Sequence, residues 1–249
     1  MIGIFIIIMI IVSLSGYMFA NSFCYAFYRT GCTTINKLIT TKAIRHIFSI
    51  LSVYAGFKFK GDYQFVPELP PQYMILSNHQ SIIDIPLFMR YLDGSRLRFM
   101  SKKELGNNVP LVSVMLKSGK HCLVDRNGQS ISVIRTIDKF AENIKKENLI
   151  PVVFPEGTRS RDGKLRTFHA AGFRRLISQA PMPVAVCALD GGWNIASIKT
   201  ISQNLKGGAY KVKVLKIYPA PQTKDEQVHI LEEGKKLIQK QLDEWREKN

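Results

Sequence analysis

Four short runs contain no Asp, Glu, Lys or Arg: Tyr73 to Leu76, His121 to Val124, Leu149 to Phe154 and Val184 to Leu189. A strand that is apolar on both sides of its pleat has to be covered on both faces, which is the situation of buried parallel sheets. Segments with helical spacing alternate with these runs. Ile85 to Leu92 is one, Ser130 to Lys146 is a second with Ile134, Ile137, Ala141 and Ile144 on one face, and Ala170 to Ser178 is a third. This alternation predicts an α/β domain with a mostly parallel central sheet flanked by helices. Tyr210 to Ile217 interleaves Lys with Val and Leu, so it reads as a half-exposed strand near an edge. Thr223-Lys224-Asp225-Glu226 has the spacing of a capping box and opens a charged amphipathic helix through Leu231, Ile238, Leu242 and Trp245. A chain of 249 residues suits one sizeable core.

The N-terminal region is different in kind. No Asp, Glu, Lys or Arg precedes Arg29, and Ile2 to Val12 is apolar apart from Gly3. About twenty residues at ~1.5 Å rise cross a hydrocarbon core of ~30 Å, so residues 2–28 are expected to form an N-terminal transmembrane helix. A cleaved secretory signal is the rival reading, but it ordinarily begins with Lys or Arg. Arg29, Lys37, Lys42 and Arg45 all follow the run, which places that side at the cytoplasm by the positive-inside rule. Within residues 43–57, Ile44, Ile47, Phe48, Leu51 and Ala55 share a helical face. Either this helix lies in the membrane interface with Lys42, Arg45, Lys58 and Lys60 at the headgroups, or it packs on the globular core. The expected division is a membrane-anchoring region over 1–60 and a catalytic domain over 61–249.

Charge narrows the partners. Lys and Arg number 35 against 19 Asp and Glu, a formal +16, which favours anionic partners: nucleic acid, an anionic membrane surface or phosphorylated substrates. Cys24, Cys32, Cys122 and Cys187 form no C-x-x-C and no regular framework, as in a reduced compartment. The five histidines make no metal-ligand pattern with Cys, Asp or Glu, so no metal is expected.

Two polar stretches follow apolar runs and carry the chemistry. The first is Asn78-His79-Gln80-Ser81-Ile82-Ile83-Asp84. At ~100° per residue, positions five apart in one continuous helix point about 140° apart. His79 and Asp84 can therefore meet only if His79 sits in a turn and Asp84 near the helix start, where Pro86 is tolerated. A carboxylate on one imidazole nitrogen fixes the tautomer and frees the other nitrogen to accept a proton. Asp84 could equally cap the helix through the Ser81-x-x-Asp84 spacing. A covalent serine route is disfavoured, because no G-x-S-x-G elbow occurs. The second stretch is Phe154-Pro155-Glu156-Gly157-Thr158-Arg159-Ser160. Gly157 permits a tight turn, Arg159 can fork onto two phosphate oxygens and Thr158 can donate a further bond. A surface turn with a Glu156–Arg159 ion pair is the plain alternative. Lys102 and Arg126 are further cations that could face the same anion.

Together these stretches resemble the 1-acyl-sn-glycerol-3-phosphate acyltransferase family, over about Tyr73 to Leu189. Asn78-His79-x4-Asp84 is similar to its catalytic block, Lys102-Lys103-Glu104-Leu105 through Asp125-Arg126 to its second, Phe154 to Ser160 to its phosphate-binding block, and Met182-Pro183-Val184-Ala185-Val186 to its last. Where the family often carries Phe-Lys-x-Gly, this chain has Phe168-His169-Ala170-Ala171-Gly172. The resemblance implies transfer of a fatty acyl group from acyl-CoA or acyl carrier protein to the sn-2 hydroxyl of lysophosphatidic acid, giving phosphatidic acid. It implies His79 as base, Asp84 as its orienter, and Glu156, Gly157, Thr158 and Arg159 as the acceptor site, with Lys102 and Arg126 in support. No cofactor is expected, because the thioester is already activated. Expected partners are the two substrates and anionic membrane lipids, not nucleic acid. The catalytic domain is expected at the cytoplasmic face, of the inner membrane if the source is bacterial. Two alternatives stand beside this reading: an acyltransferase for another lysophospholipid or a non-phosphorylated acceptor, and a non-enzymatic membrane-anchored anion-binding protein.

Overall fold

The computed structural model describes residues 2–27, 32–62, 64–92, 94–107, 113, 116–117, 119–125, 130–196, 204 and 206–247. Within them run helices α1 (Ile2–Phe27), α2 (Cys32–Ala55), α3 (Asp84–Tyr91), α4 (Ser130–Lys146), α5 (Ala170–Gln179) and α6 (Lys224–Glu247). The strands are β1 (Lys58–Asp62), β2 (Met74–Ser77), β3 (Leu97–Lys102), β4 (Cys122–Val124), β5 (Ile150–Val153), β6 (Val184–Asp190) and β7 (Ala209–Tyr218). They form one seven-stranded sheet in the order β1-β7-β6-β2-β5-β3-β4. Every pairing is parallel except β6 with β7, whose register shifts at Val186/Cys187.

The two faces of the sheet read directly from alternation along the strands. Ile75 in β2 and Ala185, Cys187 and Leu189 in β6 face a core shared with Ile44, Phe48 and Leu51 of α2 and Leu87 and Phe88 of α3. Their neighbours Met74, Leu76, Val184, Val186 and Ala188 face a second core with Ile137 and Ile144 of α4, Phe173 and Leu176 of α5, and Ile230 and Ile238 of α6. All four residues of β2 and all four of β5 are buried, which is why those runs contain no charge. The α/β expectation with a mostly parallel, helix-flanked sheet holds.

Two strands go beyond the sequence reading. β1 lies at the sheet edge as Lys58-Phe59-Lys60-Gly61-Asp62, where alternate charged residues meet solvent. It covers β7, so the Lys-rich, half-exposed β7 is second from the edge, as its alternation predicts. β3 carries Arg98 as its second residue, and that guanidinium folds back onto the carbonyls of Ser95 and Leu97. The start of α6 behaves as a cap: Glu226 N–H donates to Thr223 Oγ1 at 3.1 Å. The Glu226 carboxylate accepts from Gln222 N–H, one residue outside the expected box.

The N-terminal helices need correction. The helix expected over 43–57 is the second half of the longer α2, and Ile44, Phe48 and Leu51 are buried in the core, so this face packs on the sheet domain. The other half of the expectation, a membrane-spanning α1, is not shown. α1 is 26 residues long with Ser13, Ser15, Tyr17, Asn21 and Ser22 in its later part, and among the described residues no helix is long and apolar enough to cross a membrane. α2 returns along α1, and Tyr17 Oη lies 2.8 Å from His46 Nδ1.

Candidate active site

Because β2, β3, β4, β5 and β6 are mutually parallel, their C-terminal ends lie on one edge of the sheet, the usual place for ligand sites in open α/β sheets. The loop after β2 begins with Asn78, whose side chain continues the strand pairing with β6. Its Nδ2 donates to Leu189 O and its Oδ1 accepts from Leu189 N–H, both at 2.8 Å. The chain then turns, and Asp84 is the first residue of α3. This is the arrangement that the spacing of His79 and Asp84 demanded. His79 Nδ1 lies 2.6 Å from Asp84 Oδ2. The same oxygen accepts from Gln80 N–H at 2.7 Å, and Oδ1 accepts from Ser81 N–H at 3.0 Å. Asp84 is not the cap considered for it, because Ile83 stands at the N-cap and α3 has no side-chain cap bond. Its carboxylate closes the turn before α3 and fixes the imidazole. A carboxylate can only accept, so Nδ1 carries the proton and Nε2 is left with a lone pair. Asp84 is fully buried, where charge-assisted bonds are strongest. The imidazole stacks on Phe154 with ring centroids 4.2 Å apart and planes 11° from parallel. The His79 side chain remains 18% exposed, so the ring is held firmly but can be reached.

The loop after β5 is laced to this one. Glu156 Oε1 accepts from His79 N–H at 2.7 Å, and Ser160 N–H donates to His79 O at 2.8 Å, so the backbone of His79 is held on both sides. Glu156 Oε2 accepts from Arg166 N–H at 2.9 Å. Burial pushes the Glu156 carboxyl above its ordinary value, and the two backbone amides pull it back. Gly157 has φ +67°, the left-handed region where glycine is at ease, and its N–H donates to Phe154 O. Glu156, expected at the acceptor, has both oxygens occupied by main-chain amides. In this arrangement it sets the spacing of two loops.

Arg159 and Thr158 are exposed, and among the described residues the Arg159 guanidinium makes no ion pair, with Glu156 or otherwise. Lys102 is exposed at the end of β3, while the adjacent Lys103 pairs with Asp125 at 3.3 Å. Arg126 lies outside the described residues. A cavity of about 450 Å³ opens at these strand ends, lined by Met100, Val124, Phe154, Gly157, Thr158 and His169 among others. Phe154 is shared by this cavity and the His79 stack, which places the cavity beside the imidazole. Among the described residues no group of three or more His, Cys, Asp or Glu could hold a metal ion. The sequence reading gave no role to Asn78, Gln80 and Phe154, which it saw only as members of the two stretches, and it passed over Asp190. A shared signal is position, since each stands at or just beyond the end of a buried strand.

A buried carboxylate thus leaves one imidazole nitrogen free, on a loop tied to the glycine turn that carries Arg159. The family model described as Acyltransferase matches residues 62–190, and the chain belongs to that family. Similar proteins include the 1-acyl-sn-glycerol-3-phosphate acyltransferase of Cocos nucifera, 31% identical over 116 residues, which are 47% of this chain and 36% of that one. The enzyme of the same name from Limnanthes douglasii is 34% identical over 116 residues, covering 47% of this chain and 40% of that one. The alpha form from Bos taurus is 29% identical over 178 residues, covering 69% and 57%. The chain thus aligns with well under half the length of the two plant relatives. The crystal structure of the 1-acyl-sn-glycerophosphate (LPA) acyltransferase PlsC from Thermotoga maritima superposes with a TM-score of 0.60 at 17% identity, over 94% of this chain and 95% of that one, a likeness of fold.

The lacing through Glu156 is testable. Glu156→Ala leaves the amides of His79 and Arg166 without their acceptor and is expected to cost about 1–3 kcal/mol of stability. Glu156→Gln keeps one acceptor and should fall between Ala and the native residue. Chemical denaturation of the three proteins checks this order, and equal stability in all three would contradict it.

Proposed function

We propose that this chain is a 1-acyl-sn-glycerol-3-phosphate acyltransferase. It carries a fatty acyl group from a thioester, acyl-CoA or acyl carrier protein, to the sn-2 hydroxyl of lysophosphatidic acid. The observation that carries this reading is the His79–Asp84 pair at 2.6 Å, stacked and tied into a loop that also presents Arg159. His79 Nε2 takes the hydroxyl proton, and the acceptor oxygen attacks the thioester carbonyl. Asp84 stabilises the imidazolium that forms. Collapse of the tetrahedral intermediate breaks the carbon–sulfur bond, and the departing thiolate recovers the proton from His79. Atoms and charge balance without a cofactor, because the thioester is already activated.

Arg159 is assigned to the acceptor phosphate, with Thr158 and Gly157 beside it and Lys102 and Arg126 as further cations. Support comes from the exposed, uncommitted guanidinium on a left-handed glycine turn and from the names of the relatives. A free planar fork matches phosphate oxygens in pairs.

The same proposal places the enzyme on an anionic membrane through residues 1–60. α1 presents Val12, Phe19 and Phe27 at 67%, 73% and 72% exposure, and Phe5, Ile8, Ile11 and Phe23 are exposed too. Apolar surface of that extent on one element needs cover. Its partner helix carries Lys42 and Arg45, suited to lipid phosphates, and the sheet domain then faces the cytoplasm.

Two outcomes are expected. Arg159→Ala should raise the Michaelis constant for lysophosphatidic acid about ten- to a hundred-fold, matching roughly 1.5–3 kcal/mol for a charge-assisted bond, with the donor constant little changed. Arg159→Lys should recover part of that loss, since it keeps the charge without the fork. Steady-state kinetics with each substrate varied, across phosphorylated and non-phosphorylated acceptors, measures this. A changed donor constant alone would assign Arg159 to the donor. For anchoring, membranes washed with carbonate should retain the full chain, and its complete release would show that α1 is not embedded.

A further inference from the structure

Arg246 stands one residue from the end of α6, far in sequence from both loops of the site, and it touches the supports of each. Its Nη2 donates to Gly163 O at 2.7 Å and to Asp190 Oδ1 at 2.9 Å, and its Nε reaches Asp190 Oδ2 at 3.4 Å. Asp190 is buried at the end of β6, and its Oδ1 also accepts from Gln80 Nε2 at 3.2 Å. Gln80 Oε1 accepts from Gly192 N–H at 3.1 Å. The backbone N–H of Gln80 donates to Asp84 Oδ2, the oxygen that holds His79 Nδ1. On the other side, Gly163 is in the left-handed region at φ +75°. A Cβ there would stand 2.8 Å from Trp193 Nε1, so the loop is pressed against the turn after β6. The same loop holds His79 O through Ser160 N–H.

We propose that Arg246 is a positioning residue for acyl transfer. It joins the loop that carries the dyad and the loop that carries Arg159 into one unit through α6. The inference rests on the reading of His79 and Asp84 as the dyad. An exposed Arg–Asp pair is ordinarily of little consequence. Here the carboxylate is buried, a further side-chain hydrogen bond comes from the glutamine of the dyad loop, and Lys211 stands opposite on β7 as a nearby cation. Removing Arg246 takes the forked donor from a buried charge and leaves it to Gln80 and the nearby Lys211, so Gln80 is drawn out of place. The task suits arginine, because its planar fork serves two acceptors that belong to different loops. A lysine ammonium at that distance can serve the charge but not the geometry.

The test is a kinetic cycle on the full chain in detergent: Arg246→Ala, Arg246→Lys, Gln80→Ala and the double Arg246→Ala/Gln80→Ala, with His79→Ala alongside. For Arg246→Ala we expect kcat per folded enzyme to fall about ten- to a hundred-fold, as misplacement of reacting groups does, with the donor KM unchanged. Arg246→Lys should recover the thermal midpoint but only part of kcat. The double variant should be no worse than the poorer single, because both act along one path. A kcat within two-fold of the native enzyme in Arg246→Ala and Arg246→Lys, or effects that multiply in the double, would overturn the inference. If His79→Ala is inactive while the Arg246 variants turn over normally, only this inference falls. If His79→Ala itself turns over normally, the dyad reading falls and takes this inference with it.

Discussion

The Asp84 carboxylate is the point on which the site is assembled. It is fully buried at the first residue of α3, and it accepts from the His79 ring and from the backbone amides of Gln80 and Ser81. Three donors converging on one buried anion leave it no unmet demand, so the charge is tolerated inside the protein. The two amide bonds dictate the path of residues 79–84, and the ring bond sets the tautomer of the imidazole. Removing the carboxylate would free the ring and unclose the turn together. On the proposed reading, catalysis and local folding therefore depend on one group.

A second carboxylate organises the next shell by the same means. Glu156 receives main-chain amides from residues 79 and 166, and its burial cost is offset by them. The loops after β2, β5 and β6 are thus fixed to each other by side chains that accept or donate to backbone, while Arg159, Thr158 and Lys102 are exposed and, among the described residues, uncommitted. This division suits a transfer enzyme. The proton-moving group is held rigidly by buried bonds, and the cations that would meet a phosphate stay in solvent where a ligand can reach them. The exposed apolar side of α1 and the formal +16 both fit the proposed membrane-bound enzyme.

Much of this was legible from the residues. Met74 to Ser77, Ile150 to Val153 and Val184 to Asp190 are strands buried on both faces, and a parallel sheet follows from that alone. The meeting of His79 and Asp84 was legible because only a turn followed by a helix start brings residues five apart together. β1 and β3 escaped because Lys58, Lys60 and Arg98 break the apolar pattern, one at a solvent edge and the other by folding its guanidinium onto carbonyls. α2 escaped in its first half because Thr33, Thr34, Thr40 and Thr41 blur the helical face. The work of Glu156 was invisible because its partners are main-chain amides, which leave no trace in a sequence. The Asp190–Arg246 contact joins residues 56 apart through the packing of α6 on β6, and no local pattern announces it.

The most direct measurement is transfer by purified His79→Ala, with lysophosphatidic acid and an acyl-CoA donor, beside its thermal midpoint. A positioned general base contributes roughly 10²–10⁴-fold. The account predicts a loss of that size with the midpoint nearly unchanged, since the turn is closed by Asp84 and two backbone amides and not by the ring. Turnover close to that of the native enzyme would show that His79 does not move the proton and would contradict the account at its centre.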